Sequence, residues 1–138
     1  VAEGPAVPVP VPPAPAPSSR ALDEVLAGEK ALAAMRLDDA QAAFAEASRL
    51  DARSSRAWMG LAKVAFQRGD YETALEKGQR AVRFAPGNAA YRNYLGRIHL
   101  AAGHREEAIA AWRAVLADRP NDAEAKRLLE KAGEKIDP

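Results

Sequence analysis

The sequence predicts an all-α protein made of stacked antiparallel helix pairs, preceded by an extended proline-rich segment. Three observations support this fold class. The 138-residue chain contains 33 Ala but only three Phe, three Tyr and two Trp, and an alanine-rich core needs the close backbone approach that packed helices allow. Seven of the ten Pro lie within residues 1–19. From residue 21 onward, the chain repeats with a period of 34 residues, which is in the range of repeat architectures.

The N-terminal segment, residues 1–20, is interpreted as a proline-rich linker, and residues 21–138 as the folded domain. Pro lacks a backbone donor and fixes φ, which excludes helix and inner strand and favours polyproline II. Two PxxP spacings, from Pro5 to Pro8 and from Pro10 to Pro13, leave open that the segment is a ligand for a proline-binding groove. No basic residue follows either spacing closely, so a spacer is the favoured interpretation.

The repeat consists of three units, 21–54, 55–88 and 89–122, which align without a gap. The aligned sets, in unit order, are Ala40, Ala74 and Ala108; Phe44, Gly78 and Trp112; Gly28, Ala62 and Gly96; and Ala52, Pro86 and Pro120. Each unit is predicted to form two helices. Small residues in the first and third sets indicate a close crossing of those two helices.

The elements follow in order from these units. In the first unit, Met35 stands where the later units have glycine between the helices. In the second, a stripe from Trp58 to Phe66 has the helical period, Gly69 is suited to end that helix and Asp70 to cap the next. The third unit repeats this pattern around Gly103.

A seventh helix is predicted over residues 123–132, as a cap on the stack. Its apolar residues recur at helical spacing and are expected to face the third unit: Ala125, Leu128, Leu129 and Ala132. Gly133 is expected to end it.

The pattern resembles the tetratricopeptide repeat (TPR). The residues that match are, in the second unit, Trp58, Leu61, Ala62, Gly69, Asp70, Tyr71, Ala74, Ala81 and Pro86, and, in the third, Leu95, Gly96, Gly103, Ala108, Trp112 and Pro120. The resemblance covers residues 21–122, and the first unit departs most from it, with Glu24, Met35 and Ala52 at three motif positions. It implies a TPR-type right-handed α-solenoid whose first helices line a concave surface.

The resemblance also implies a site, because TPR domains typically bind an extended peptide or a partner helix in that concave groove. The groove-facing residues expected to carry binding are Val25, Glu29, Met59, Lys63, Phe66, Asn93, Tyr94 and Arg97. Lys63 and Arg97 offer charge to a ligand carboxylate. One TPR subclass clamps the C-terminal carboxylate of a chaperone tail with Lys, Asn and Arg. That ligand is disfavoured here, since the corresponding positions hold Val25, Glu29, Gly60, Ala90 and Tyr94.

Other function classes find little support in the composition. A net charge of +1 gives no concentrated basic surface for nucleic acid or an anionic membrane, and no window has the ~18 uncharged apolar residues of a spanning helix. The chain has no Cys. Its two His, His99 and His104, are five residues apart across a helix end, which is not a metal pair. We therefore expect no enzyme activity, cofactor or metal.

Two functions remain open at this level: an adaptor that binds a protein or peptide partner in the groove, and a structural module that stacks on copies of itself within a multi-protein assembly. The partner and the compartment are not identified by the sequence. Because the chain begins with Val, we expect further sequence before it, so that residues 1–20 could tether the domain to a membrane or a larger protein. The richness in Ala, Arg and Pro is typical of a GC-rich bacterial genome.

Overall fold

The computed structural model describes residues 19–134 and contains, within that range, seven α-helices and no strand. The helices are α1 (Ser19–Ala33), α2 (Leu37–Leu50), α3 (Ser55–Gln67), α4 (Tyr71–Phe84), α5 (Ala89–Ala101), α6 (Arg105–Asp118) and α7 (Ala123–Lys131). This confirms the all-α prediction. The predicted extended segment lies outside the described residues except for Ser19 and Arg20, which are the first two residues of α1.

The starts of α3, α5 and α7 are set by side-chain caps placed 34 residues apart. The capping residues are Ser54, Asn88 and Asp122, which accept hydrogen bonds from the backbone N–H groups of Ala57, Tyr91 and Ala125 respectively. A side-chain oxygen at this position satisfies one of the donors that a helix leaves unpaired at its N-terminus. Asp70 caps α4 in the same way through the N–H of Thr73, as predicted.

The turns within the helix pairs use a left-handed residue at the same repeat position. Gly69 has φ +77° and Gly103 has φ +88°, whereas the first unit places Met35 there with φ 58°. Glycine adopts this region without steric cost, but a residue with a Cβ does not. The departure noted in the first unit therefore carries a local conformational cost.

Two aromatic rings fill spaces that glycine leaves between helices. Phe44 on α2 is fully buried against Gly28 and Gly60, and Trp112 on α6 is fully buried against Gly96. A Cβ added at any of these glycines would come within 3.0 Å of the ring. The small residues of the repeat are therefore the seats of the large ones, which brings α1, α3 and α5 into one continuous layer.

Helix α7 closes the C-terminal end of the stack. Ala125, Leu128 and Leu129 are buried in one cluster with Trp112 and Val115 of α6, as predicted for a capping helix. Gly133 follows with φ +84°, which suits the end of a helix. No helix in the range 19–134 is long and apolar enough to cross a membrane.

Candidate functional site

A groove runs along the first helices of the units and consists of three adjoining depressions. The first, of about 320 Å³, lies between α1, α3 and α5 and is lined by Glu29, Leu32, Ala33, Phe44, Arg56, Met59, Gly60, Lys63 and Tyr91. The second, of about 280 Å³, lies between α3, α5 and α7 and is lined by Lys63, Ala90, Tyr91, Asn93, Tyr94, Arg97, Asp122 and Glu124. The third, of about 320 Å³, is lined by Phe66, Arg97, Leu100, Ala101, Trp112, Leu128, Lys131 and Ala132.

The three depressions form one groove because neighbours share wall residues. Lys63 and Tyr91 belong to both the first and the second depression. Arg97 belongs to both the second and the third. A ligand lying along the groove would therefore pass Lys63 and then Arg97 before it reaches α7.

The centre of the groove is an aromatic ring held between two cations. The Lys63 Nζ lies 5.3 Å from the centroid of the Tyr94 ring, and the Arg97 Cζ lies 4.8 Å from the same centroid. Phe66 packs on the ring edge-on at 5.6 Å. Attraction between the cations and the ring face holds both long side chains near the groove. Burial raises the pKa of the Tyr94 phenol, with a smaller opposing effect from Arg97, so this phenol is neutral at pH 7.

The carboxylates in the groove are each engaged by a neighbour. Glu29 accepts a 2.5 Å hydrogen bond from Arg56, and Glu124 accepts one of 2.7 Å from Arg127. The hydrogen bond from Arg127 lowers the pKa of Glu124. Asp122, besides capping α7, accepts a 3.0 Å hydrogen bond from the side-chain amide of Asn93. These acids are therefore committed within the fold.

Three cations lining the groove are not paired in this way. Lys63, Arg97 and Lys131 form no ion pair with any residue in the range 19–134. Since the acids have partners and these bases do not, the charge that the groove offers to a ligand is positive.

Asn93 lies at the floor of the second depression and is 2% exposed. Its amide nitrogen donates to Asp122, and its backbone carbonyl accepts from the Trp112 indole at 3.1 Å. Its side-chain oxygen Oδ1 has no hydrogen-bond partner among the described residues. A buried acceptor without a partner is costly, so this oxygen is a candidate acceptor for a donor on a ligand.

Seven of the eight predicted site residues line this groove. Glu29 and Met59 line the first depression, Asn93 and Tyr94 the second, and Phe66 the third, while Lys63 and Arg97 join them. Met59 and Asn93 are buried, 1% and 2% exposed, so they form the floor rather than the walls. Val25 lines none of the three. It is 3% exposed and packs in the core with Ala47 and Ala57, because its face of α1 is turned toward α2 and α3.

The sequence analysis missed the contribution of α7. Asp122, Glu124, Leu128 and Lys131 line the second and third depressions, although this helix was predicted only as a cap. The signal was present in the register, because Asp122 lies 34 residues after Asn88 and caps α7 as Asn88 caps α5. Helix α7 thus takes the place of the first helix of a further unit.

The described residues offer little for catalysis or metal binding. No group of three or more His, Asp or Glu side chains that could hold a metal ion occurs in the range 19–134. The rings of His99 and His104 lie 5.8 Å apart. Burial lowers the pKa of His99, and His104 adds to the shift, which favours a neutral packed imidazole.

Comparison with protein families gives two matches, both described as tetratricopeptide repeat, over residues 25–89 and 65–132. A sequence comparison with curated proteins gives no match.

Comparison with solved structures gives helical repeat domains. The first TPR of Spaghetti (RPAP3) bound to the HSP90 peptide SRMEEVD superposes with a TM-score of 0.78 at 22% identity, over 84% of this chain and 92% of that one. The second TPR domain of human RPAP3 in complex with the HSP70 peptide SGPTIEEVD gives 0.78 at 18%, over 87% and 100%.

An O-GlcNAc transferase from Thermobaculum terrenum gives a TM-score of 0.78 at 23% identity, over 86% of this chain but 23% of that one. The likeness to all three structures shows the fold, an α-solenoid of antiparallel helix pairs.

Proposed function

The chain belongs to the tetratricopeptide repeat family, and we propose on this basis that it is an adaptor that binds an extended or helical segment of a partner protein in the groove between α1, α3, α5 and α7. TPR domains similar to this chain are solved with bound peptides, which supports a protein-interaction module. The groove has an apolar floor and a few fixed polar groups, as a peptide site requires.

The observation that carries the proposal is the arrangement around Tyr94. Lys63 and Arg97 flank its ring, neither has an ion pair within residues 19–134, and Arg97 connects two of the depressions. Desolvated cations beside apolar surface favour a ligand that brings both apolar contacts and a carboxylate. The partner segment therefore carries apolar side chains and at least one acidic residue.

The chaperone-tail ligands of the similar domains are not proposed for this chain. The groove positions that would hold the Lys, Asn and Arg of that clamp contain Val25, Glu29, Gly60, Ala90 and Tyr94. Val25 is buried and Glu29 is paired with Arg56, so these positions lack donors for a terminal carboxylate. A catalytic role is likewise not proposed, since no nucleophile or acid–base pair occupies the groove.

The test is a binding measurement with fluorescein-labelled peptides that mix acidic and apolar residues, using the full chain and fluorescence anisotropy. We expect Arg97→Gln to weaken the best binder by about tenfold, the loss of one charge-assisted contact. Arg83→Gln is the matched control, since Arg83 is exposed on α4 and lines none of the depressions. Equal weakening by both variants, or by neither, would contradict a groove site.

A second candidate function is self-assembly through the N-terminal end of the stack. Leu22 and Leu26 lie one turn apart on α1, and both are exposed. An apolar stripe on a terminal helix suits stacking on another protein surface. Light scattering that grows with concentration, and that is abolished by Leu22→Glu together with Leu26→Glu, would favour this function over the adaptor, which stays monomeric.

The proline-rich segment 1–20 remains a predicted spacer and an alternative groove ligand. The experiment is to add a synthetic peptide of residues 1–19 to the labelled chain. Amide shifts at Lys63, Tyr94 and Arg97 would favour docking, and unchanged spectra at millimolar peptide would favour the spacer.

A further inference from the structure

We propose that the third depression, where α5 meets α7, receives a large apolar side chain of the partner flanked on both sides by acidic residues. This makes α7 a wall of the binding site as well as a cap. The inference rests on the proposed function, because it assigns a subsite within the same groove.

The depression exists because α7 is about one turn shorter than the helices it follows. Helices α3 and α5 each have 13 residues, whereas α7 has nine and ends at Lys131. The four missing residues correspond to about 6 Å of helix. Leu100, on the last turn of α5, is consequently 40% exposed, although it lies on a wall with Phe66 and Leu128.

The lining is apolar and of a size suited to one side chain. Phe66, Leu100, Trp112 and Leu128 form most of the wall, around a volume of about 320 Å³. Small-molecule pockets range from about 300 to 1,000 Å³, so this space is at the lower end and fits one large residue better than a cofactor. Filling it would remove the exposed face of Leu100 from water, which is favourable in proportion to the apolar area buried.

The charges at the rim decide what accompanies that residue. Arg97 comes from α5 and Lys131 from α7, so the two cations stand on different walls. Neither has an ion pair within the described residues, and no carboxylate lines this depression. A chain-terminal carboxylate could meet one of these cations. Acidic side chains on both sides of the apolar residue meet both, and this is the ligand to which we commit.

The experiment uses Trp112 as a reporter. The chain has two Trp, and Trp58 lies outside the groove, where its indole donates to the Ala52 carbonyl at 2.8 Å. In the full chain carrying Trp58→Phe, emission therefore comes from Trp112 alone, a residue that lines the depression. The probe is the blocked peptide acetyl-Glu-Glu-Leu-Glu-Glu-amide. Two matched peptides replace its Leu by Ser, or all four Glu by Gln.

We expect the first peptide to change Trp112 emission saturably and to bind at least about tenfold more tightly than either matched peptide. Leu100→Ala and Lys131→Gln should each weaken it by about five- to tenfold. The controls are Leu26→Ala, an exposed leucine outside the groove, and Lys126→Gln, a lysine of α7 that does not line it. Both controls should stay within about twofold of the parent chain.

A second measurement guards against a Trp58→Phe variant that fails to fold: amide shifts of the unmodified labelled chain, which should move at Leu100 and Lys131. Shifts confined to Lys63 and Tyr94 would overturn this inference and leave the proposed function standing. An absence of shifts throughout the groove with all three peptides would count against both. Trp112 emission that changes with protein concentration alone would assign the depression to a second copy and overturn the inference.

Discussion

The left-handed turn residue of each helix pair provides a sharp test of how this repeat is built. Gly69 and Gly103 hold this position with φ +77° and +88°, and Met35 holds it with φ 58°. An added Cβ at Gly103 would meet no atom within 4 Å. The Gly103→Ala substitution therefore changes the backbone cost without introducing a clash.

The magnitude follows from two opposing effects. The left-handed conformation costs a residue with a Cβ about 1–2 kcal/mol, while glycine loses about 0.5–1 kcal/mol more conformational entropy on folding. The net preference for glycine is about 0.5–1 kcal/mol. Gly103→Ala should therefore lower the free energy of unfolding by that amount. Met35→Gly should exceed Met35→Ala in stability by the same amount, since both variants lack the Met side chain, which is 58% exposed.

The assay is urea and thermal unfolding followed by circular dichroism, with the four chains compared at one pH. A difference of about 0.5–1 kcal/mol corresponds to about 2–4 °C in Tm for a domain of this size. The informative comparison is between the two substitutions at Met35, because side-chain packing is nearly the same in both. If Met35→Gly were no more stable than Met35→Ala, the turn would not be held in the left-handed region and the reasoning would fail.

Three further predictions concern packing, the cap and pH. Ala108→Leu should lower the free energy of unfolding by about 1–3 kcal/mol in urea titrations, because Ala108 is fully buried at a helix crossing; unchanged stability would place the crossing elsewhere. Truncation after Asn121 should expose the core that α7 covers and produce aggregation in light scattering, whereas a monomer with unchanged Tm would argue against the cap. Burial lowers the pKa of His99 from its ordinary 6.5, with His104 adding to the shift and Glu107 opposing it. Stability should thus be complete above pH 6.5 and decline as pH falls toward the lowered folded pKa; His99→Gln should flatten this decline in Tm, and an identical pH profile would exclude His99 as its source.

Most of the helix boundaries were predictable because they depend on local chemistry. Asp70 caps α4 through its own carboxylate, and Gly133 ends α7 through its own backbone freedom. Such interactions join residues a few positions apart, so a single stretch of sequence contains both partners. The 34-residue register then extended the same assignments from one unit to the next.

Residues on the groove were predicted less well, because exposure depends on neighbours far along the chain. Val25 was expected in the groove but is buried against Ala47 and Ala57. Met59 and Asn93 do line it, yet as a buried floor. A helical period tells which residues share a face, but whether that face is open depends on the angle and closeness of the next helix.

The sequence by itself determined the class of helix pairs, the number of helices and the residues that must be small, since these follow from periodicity, turn residues and steric size within a repeating unit. Only the tertiary structure decided that Lys63 and Arg97 flank the same ring, and that the short α7 leaves Leu100 open beside Lys131. These features arise where separate helices meet, and the distances between side chains on different helices are set by the packing of the whole stack rather than by any local pattern.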